Sequence, residues 1–138
     1  MEPFTNPEHI AIRLLHRDGG IANATVTHGD ETHRLLLEFD GVTYDETAQD
    51  IFDAFGKIRK RLEAIGYRPL CYGAALNCYP SPMSSDMGGG TKLYRLRLGE
   101  QGKLANLVGI FDAEPGLVPV TVEEQNAFYE EWLESLSK

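Results

Sequence analysis

Apolar residues recur at helical spacing in two long stretches and alternate with polar ones in several shorter stretches. The clearest helical stripe is Ile51, Phe55, Ile58, Leu62 and Ile65, which places one apolar face toward a core. Thr47 and Asp50 have the spacing of a capping box ahead of it, and Asp45 and Glu46 suit the positive helix end. Lys57, Arg59, Lys60 and Arg61 crowd the later half, where cations are favoured, and Gly66 is the natural stop. This charge order reads as a well-oriented surface helix. Near the C-terminus Phe128, Trp132 and Leu136 repeat every fourth residue, with Tyr129 and Leu133 beside them. Thr121 and Glu124 form a second capping-box match, so a helix begins there. A third, shorter helix is predicted from Asn6 as cap, Pro7 as first residue, and Ile10, Ala11, Leu14 and Leu15 on one face, ending at Gly19-Gly20. The same residues offer a strand as the alternative, because Ile10, Ile12 and Leu14 alternate.

Ile21–His28 is rich in β-branched residues, Gly29-Asp30 is a turn signal, and Thr32–Phe39 is apolar. Together they predict a β-hairpin, and Asp40-Gly41 turns the chain into a third short strand at Val42–Tyr44. Leu70–Leu76 reads as a strand, and Lys92–Leu98 alternates as another. Leu104–Phe111 fits either a strand or a helical turn. Connections this short require antiparallel neighbours. The predicted fold is α+β: an antiparallel sheet of about four to six strands packed against the central and the C-terminal helix. Nothing divides the chain, so residues 1–138 are read as a single domain.

Composition narrows the function classes. Of 138 residues, 42% are hydrophobic and 25% charged, which is ordinary for a chain that buries a core. Acids outnumber bases 21 to 13, giving a net charge of −8, which disfavours nucleic-acid binding through phosphates. No apolar run is long enough for a membrane span, and no signal-peptide pattern opens the chain. A cytoplasmic location is expected. Two cysteines, Cys71 and Cys78, are too few for a disulfide framework and too far apart for a Cys-x-x-Cys redox motif. Cys71 reads as a buried small residue, and Cys78, beside a loop, as the more reactive thiol. His9, His16, His28 and His33 show no metal-ligand spacing, and the last two read as exposed turn residues. No metal and no cofactor is expected. No Gly-x-Ser-x-Gly elbow accompanies Ser81, Ser84 and Ser85, so no catalytic residue is assigned.

The least ordinary segment runs from Asn77 to Gly90, with Pro80, Pro82 and the triplet Gly88-Gly89-Gly90. A loop of this length in a small domain is a candidate site. Its candidate ligand- or partner-binding residues are Tyr79, Ser81, Met83, Ser84, Asp86, Met87, Gly88, Gly89, Gly90, Lys92 and Tyr94. The glycines allow backbone amides to approach a bound group, while hydroxyls and Lys92 supply polar contacts. The spacing is neither a Walker A loop nor a dinucleotide fingerprint, because no Lys-Ser or Lys-Thr follows the glycines and a strand follows the loop. The run Cys71 to Leu96 resembles a group of small uncharacterised bacterial proteins that share a Tyr-Pro-Ser-Gly-Met-Ser-x-x-Met-Gly-like signature, followed by a basic residue and Tyr. Pro82 stands where that signature has glycine. In size and acidity those proteins look like immunity proteins of bacterial toxin systems. The resemblance carries over no catalytic residue.

The acids are unevenly spread. Glu38, Asp40, Asp45, Glu46, Asp50 and Asp53 form a stretch without a base, and a second group lies on the C-terminal helix. Asp45, Asp50, Glu130 and Glu134 are the candidate acidic contacts for a basic protein partner such as a toxin domain. The leading expectation is an acidic protein-binding module, with an immunity protein as its most specific form. The alternative is a small-molecule-binding protein or enzyme using the loop 79–92.

Overall fold

The structure, a computed structural model, describes residues 4–30, 32–82 and 89–137. Five antiparallel strands form the main sheet: β1 (Glu8–His16), β2 (Ile21–His28), β3 (Arg34–Phe39), β4 (Val42–Thr47) and β5 (Tyr67–Pro69), in the order β4-β3-β2-β1-β5. The expected first helix is therefore a strand. Ile12 and Leu14 are buried while Ala11 and Arg13 are exposed, so the two-residue period prevails over the helical one. The register gives the reason. Ile10 faces Val26, Val26 faces Leu37, and Leu37 faces Tyr44, so one apolar row crosses four strands. A lone helix of that length would leave β2 paired on one edge only. The turn between β3 and β4 is the expected Asp40-Gly41, with φ of +52° and +75°, the backbone a tight hairpin needs.

The helix α1 (Ile51–Ala64) lies on the inner face of this sheet. Asp50 is its cap, accepting a hydrogen bond from the Asp53 amide at 2.6 Å, whereas Thr47 ends β4. Ile51, Phe55, Ile58 and Leu62 are buried against Leu14, Val26, Leu35 and Leu37, as their spacing requires. Ile65 is not: it follows the helix as its C-cap and is 45% exposed, because Gly66 at φ +87° turns the chain away.

Beyond α1 the chain leaves the sheet. The expected strand at Leu70–Leu76 does not form; the segment is irregular around a 3₁₀ turn at Tyr72–Ala74. Gly73 sits so close to Phe55 and Ile110 that a β-carbon there would lie 2.7 Å from Ile110 and 2.8 Å from Phe55. A small second sheet follows, β6 (Cys78–Tyr79), β7 (Lys92–Arg95) and β8 (Leu107–Gly109), antiparallel throughout. β7 is shorter than expected, and Leu104–Asn106 is a 3₁₀ turn leading into β8. The C-terminal helix α2 (Val122–Ser135) has the predicted capping box: Thr121 Oγ1 accepts from the Glu124 amide and Glu124 accepts from the Thr121 amide. It packs along α1 and the small sheet, with Glu63 of α1 accepting from the Val122 amide at 2.9 Å. No described helix is long and apolar enough to cross a membrane.

Arg59 departs from the surface role its sequence neighbours suggest. It is 1% exposed, and its guanidinium donates to Gly73 O (2.9 Å), Val120 O (2.9 Å) and Gln125 Oε1 (2.6 Å). Gln125, equally buried, donates in turn to the carbonyls of Gly73, Ala75 and Cys78. This network ties α1, the 3₁₀ turn, β6 and α2 together.

The core makes a direct prediction. Phe55 is fully buried and packs edge-on against Phe111, at a centroid distance of 5.2 Å. Phe55→Ala is expected to cost ~3–5 kcal/mol in urea unfolding, and Ile65→Ala less than about 0.5 kcal/mol. Equal losses would place the core-facing stripe elsewhere on the helix.

Candidate functional site

Tyr79 is the centre of the most distinctive surface. β6 holds it opposite Tyr94 of β7, and α2 brings Tyr129 onto its ring. Tyr79 and Tyr129 stack at 3.9 Å with 12° between planes, and Tyr129 and Trp132 follow at 5.8 Å and 26°. Phe52 of α1 also meets Tyr79 edge-on at 4.8 Å. The result is a half-buried aromatic ladder, Phe52–Tyr79–Tyr129–Trp132. Its polar tips are fixed: Tyr79 donates to Asn126 Oδ1 at 3.3 Å, and Trp132 Nε1 donates to Glu100 O at 2.8 Å.

A hollow lies on each side of the segment Tyr79–Pro82. One, about 520 Å³, runs between α1 and α2, with Asp50, Asp53, Lys57, Lys60, Asn126 and Tyr129 among its lining residues. The other, about 250 Å³, has Tyr79, Tyr94, Leu96, Tyr129, Trp132 and Leu136 among its lining residues. Both are open to solvent. Burial pushes the Tyr79 phenol pKa up, and Tyr129, Asp50, Asp53 and Glu130 add to the shift. Burial likewise raises that of Tyr129, with Glu130 adding to it. Both phenols stay neutral hydrogen-bonding groups at neutral pH. Acids from the two separate sequence stretches thus act on one ring.

The structure brings several predicted residues to this region. Tyr79 and Ser81 border both hollows, and Tyr94 lines the smaller one. Gly89 (φ +66°) accepts a hydrogen bond from the Ile51 amide at 2.8 Å, which fastens the end of the loop to the start of α1. Gly90 (φ +76°) lies against Asp50, where a β-carbon would be 2.7 Å from the carboxyl carbon. Lys92 is exposed at the start of β7 and lines neither hollow. Met83, Ser84, Asp86, Met87 and Gly88 lie outside the described residues, as does Ser85.

The acidic candidates separate. Glu130 and Glu134 are exposed on α2. Asp50 is 2% exposed and occupied with capping α1, so it is corrected from an outward partner contact to a structural residue of the site. Asp45 sits on β4, where Arg34 donates to both carboxylate oxygens at 2.9 Å and holds its pKa below the ordinary carboxylate value. Asp53, counted in the acidic stretch but left out of the candidate contacts, is the exposed acid of α1 beside the ladder. Phe52, Tyr129 and Trp132 were also left out. Their signal was aromatic rings off or beside the core stripe of a helix.

The remaining chemistry is quiet. Cys78 is buried rather than reactive: burial pushes its pKa up to about 11, and that of Cys71 up to about 12. His28 ends β2 partly buried beside Phe111 rather than standing exposed in a turn. Among the described residues, no three His, Cys, Asp or Glu side chains form a metal-holding group. No protein-family model matches the chain, and no curated protein is significantly similar to it.

Two expectations follow. Gly90→Ala should lose more than about 1 kcal/mol in denaturant melts, because it meets both a positive φ and the Asp50 carboxylate. Gly89→Ala should lose less, since its nearest neighbour, the His33 ring, is 4.0 Å away. Equal, negligible losses would show that the loop end is not fastened at Asp50. Separately, neither thiol should react with a disulfide reagent at pH 8 until the protein unfolds, because only the thiolate attacks. Rapid labelling of the native protein at either cysteine would contradict the burial described.

Proposed function

We propose that this protein is an acidic protein-binding module that occludes a basic surface of its partner, and that it serves as an immunity protein against a bacterial toxin. The observation that carries the binding role is the half-buried Tyr79–Tyr129–Trp132 stack with exposed acids beside it, Asp53 of α1 in the hollow it borders and Glu130 next to Tyr129 on α2. Aromatic rings are enriched at the cores of protein interfaces, where they bring large contact area at small entropic cost. Acids around them steer a basic partner into place and set orientation. The net charge of −8 strengthens that steering. The immunity role rests on this charge, on the size of the chain and on the resemblance of its Cys71–Leu96 segment to small acidic bacterial proteins.

A second reading is supported by the larger hollow. Its volume of about 520 Å³ falls in the range of small-molecule sites, ~300–1,000 Å³, and the Gly-rich loop ends at its rim. In that reading a metabolite co-purifies with the protein, and changes at Ser81 or Asn126 release it.

The test begins with a pull-down from native lysate and identification of the captured protein. Association is then timed at ionic strengths of 0.1 M and 1 M, between which the Debye length falls from ~10 Å to ~3 Å. The expected result is slower association at high salt, and slower association at low salt when Asp53, Glu130 and Glu134 are changed to Lys. Glu38→Lys, on the exposed side of β3, should have a smaller effect than Glu130→Lys despite the same charge change. Melting temperatures should move little, since exposed acids contribute about 0–1 kcal/mol to folding. A partner that binds equally fast after the triple reversal would remove the acidic face from the mechanism.

A further inference from the structure

We propose that the smaller hollow is an arginine slot: it receives one guanidinium side chain of the basic partner. This deepens the acidic-face reading and rests on it. The slot is lined by the rings of Tyr79, Tyr94, Tyr129 and Trp132, with Leu96 and Leu136 as apolar walls. At about 250 Å³ it is below the ~300–1,000 Å³ of sites for whole small molecules, so it fits a single side chain.

Three features favour a cation. First, aromatic faces attract cations, and this chain already uses the contact internally. Arg34 lies over Phe4 at 5.0 Å, Arg61 over Tyr44 at 4.6 Å and Arg95 over Tyr72 at 4.9 Å. Tyr79 and Tyr129 are stacked on each other, so the rings left to receive a cation are Tyr94 and Trp132, and among the described residues no such cation lies over them. Second, the negative end of the α2 dipole borders the slot at Leu136, and the last turn, Trp132 to Ser135, contains Glu134 and no base. Third, Glu130 lies close enough to raise the pKa of both Tyr79 and Tyr129. The bases nearest the slot, Arg95, Arg97 and Lys103, line an adjoining depression across Gln101; Arg95 lies 3.8 Å from Glu114 and Lys103 lies 3.7 Å from Glu100, which offsets two of these three charges.

Arginine is chosen over lysine because its planar, weakly hydrated guanidinium stacks on rings, whereas an ammonium keeps its water. Trp132 is pinned through Nε1 to Glu100 O, so its ring is held in place at the slot.

The only tryptophan of the chain stands in the slot, so its fluorescence reports occupancy. The experiment titrates the whole protein with hexa-arginine, hexa-lysine and hexa-citrulline peptides at low salt. The expected result is that the arginine peptide changes Trp132 emission and binds about five-fold tighter than the lysine peptide. The citrulline peptide should bind weakest. Tyr94→Leu should erase the preference for arginine while leaving lysine binding intact. Gln101→Trp, which fills the slot from an exposed position, should do the same and serves if Tyr94→Leu unfolds. Equal binding of arginine and lysine peptides without an emission change overturns the slot. It leaves the acidic face standing provided Glu130→Gln weakens both. Citrulline binding as tight as arginine overturns the slot too, by showing an apolar pocket indifferent to charge. No binding of any peptide overturns both readings.

Discussion

The arrangement depends on a guanidinium taken out of water. Arg59 occupies the space between α1 and α2, and no carboxylate forms an ion pair with it among the described residues. Burial lowers its pKa to about 10, so it remains charged at neutral pH. A buried cation of this kind persists only where oxygens surround it. Two carbonyls and one amide oxygen do so here, and each constrains the chain. Gly73 must present its carbonyl from a turn pressed against Phe55 and Ile110, which a side chain there would prevent. Val120 must bring the connector back across Ala74, whose carbonyl accepts its amide at 2.8 Å. Gln125 must enter the protein from the first turns of α2. Its side-chain amide then donates to Gly73 and Ala75 around the 3₁₀ turn and to Cys78 of β6, the strand that carries Tyr79 at its end. The aromatic ladder is thus a consequence of how Arg59 is solvated by protein.

The same arrangement shapes the surface charge. Several bases are occupied within the molecule. Arg59 is buried, Arg34 is held bidentate by Asp45, and Arg61 is shared between Glu46 and the Tyr44 ring. Arg95 bonds the Tyr72 hydroxyl at 2.6 Å. Asp53, Glu130 and Glu134 have no ion pair among the described residues. These three acids stand beside the ladder with their charges uncompensated by ion pairs, while Lys57 and Lys60 of α1 line the same hollow as Asp53.

Much of the fold could be read from residue patterns because local and long-range demands agreed there. The α1 stripe, the Asp40-Gly41 turn and the Thr121–Glu124 capping box each state a single conformation. Glu8–His16 carried two periods at once, and only the presence of β2 and the row Ile10–Val26–Leu37–Tyr44 decided between them. Leu70–Leu76 reads as a strand locally, but Arg59 requires the Gly73 carbonyl, and a turn supplies it. The site was partly legible. The loop ends, Tyr79 and Tyr94 were found from composition, whereas the stacking of Tyr129 on Tyr79 spans 50 residues and leaves no trace in spacing. Asp50 was misread for a related reason. An acid before a helix looks the same in sequence whether it faces solvent or caps, and Gly90 closing over it decides for the cap.

An aromatic surface is a hazard for a free protein, since exposed rings also attract copies of the same chain. The acids beside this ladder address that hazard and the recognition task together. With a net charge of −8 and exposed acids such as Asp53 and Glu130 beside the rings, two copies of the chain repel one another. A basic partner meets the opposite condition: attraction at long range, then rings already held by Asn126 and the Glu100 carbonyl. Because those rings are fixed before contact, little ordering remains to oppose association. The ladder excludes a partner without positive charge less by shape than by desolvation, since covering Asp53 and Glu130 without compensation is costly. The selectivity of the face thus comes from the acids, and its contact area from the rings.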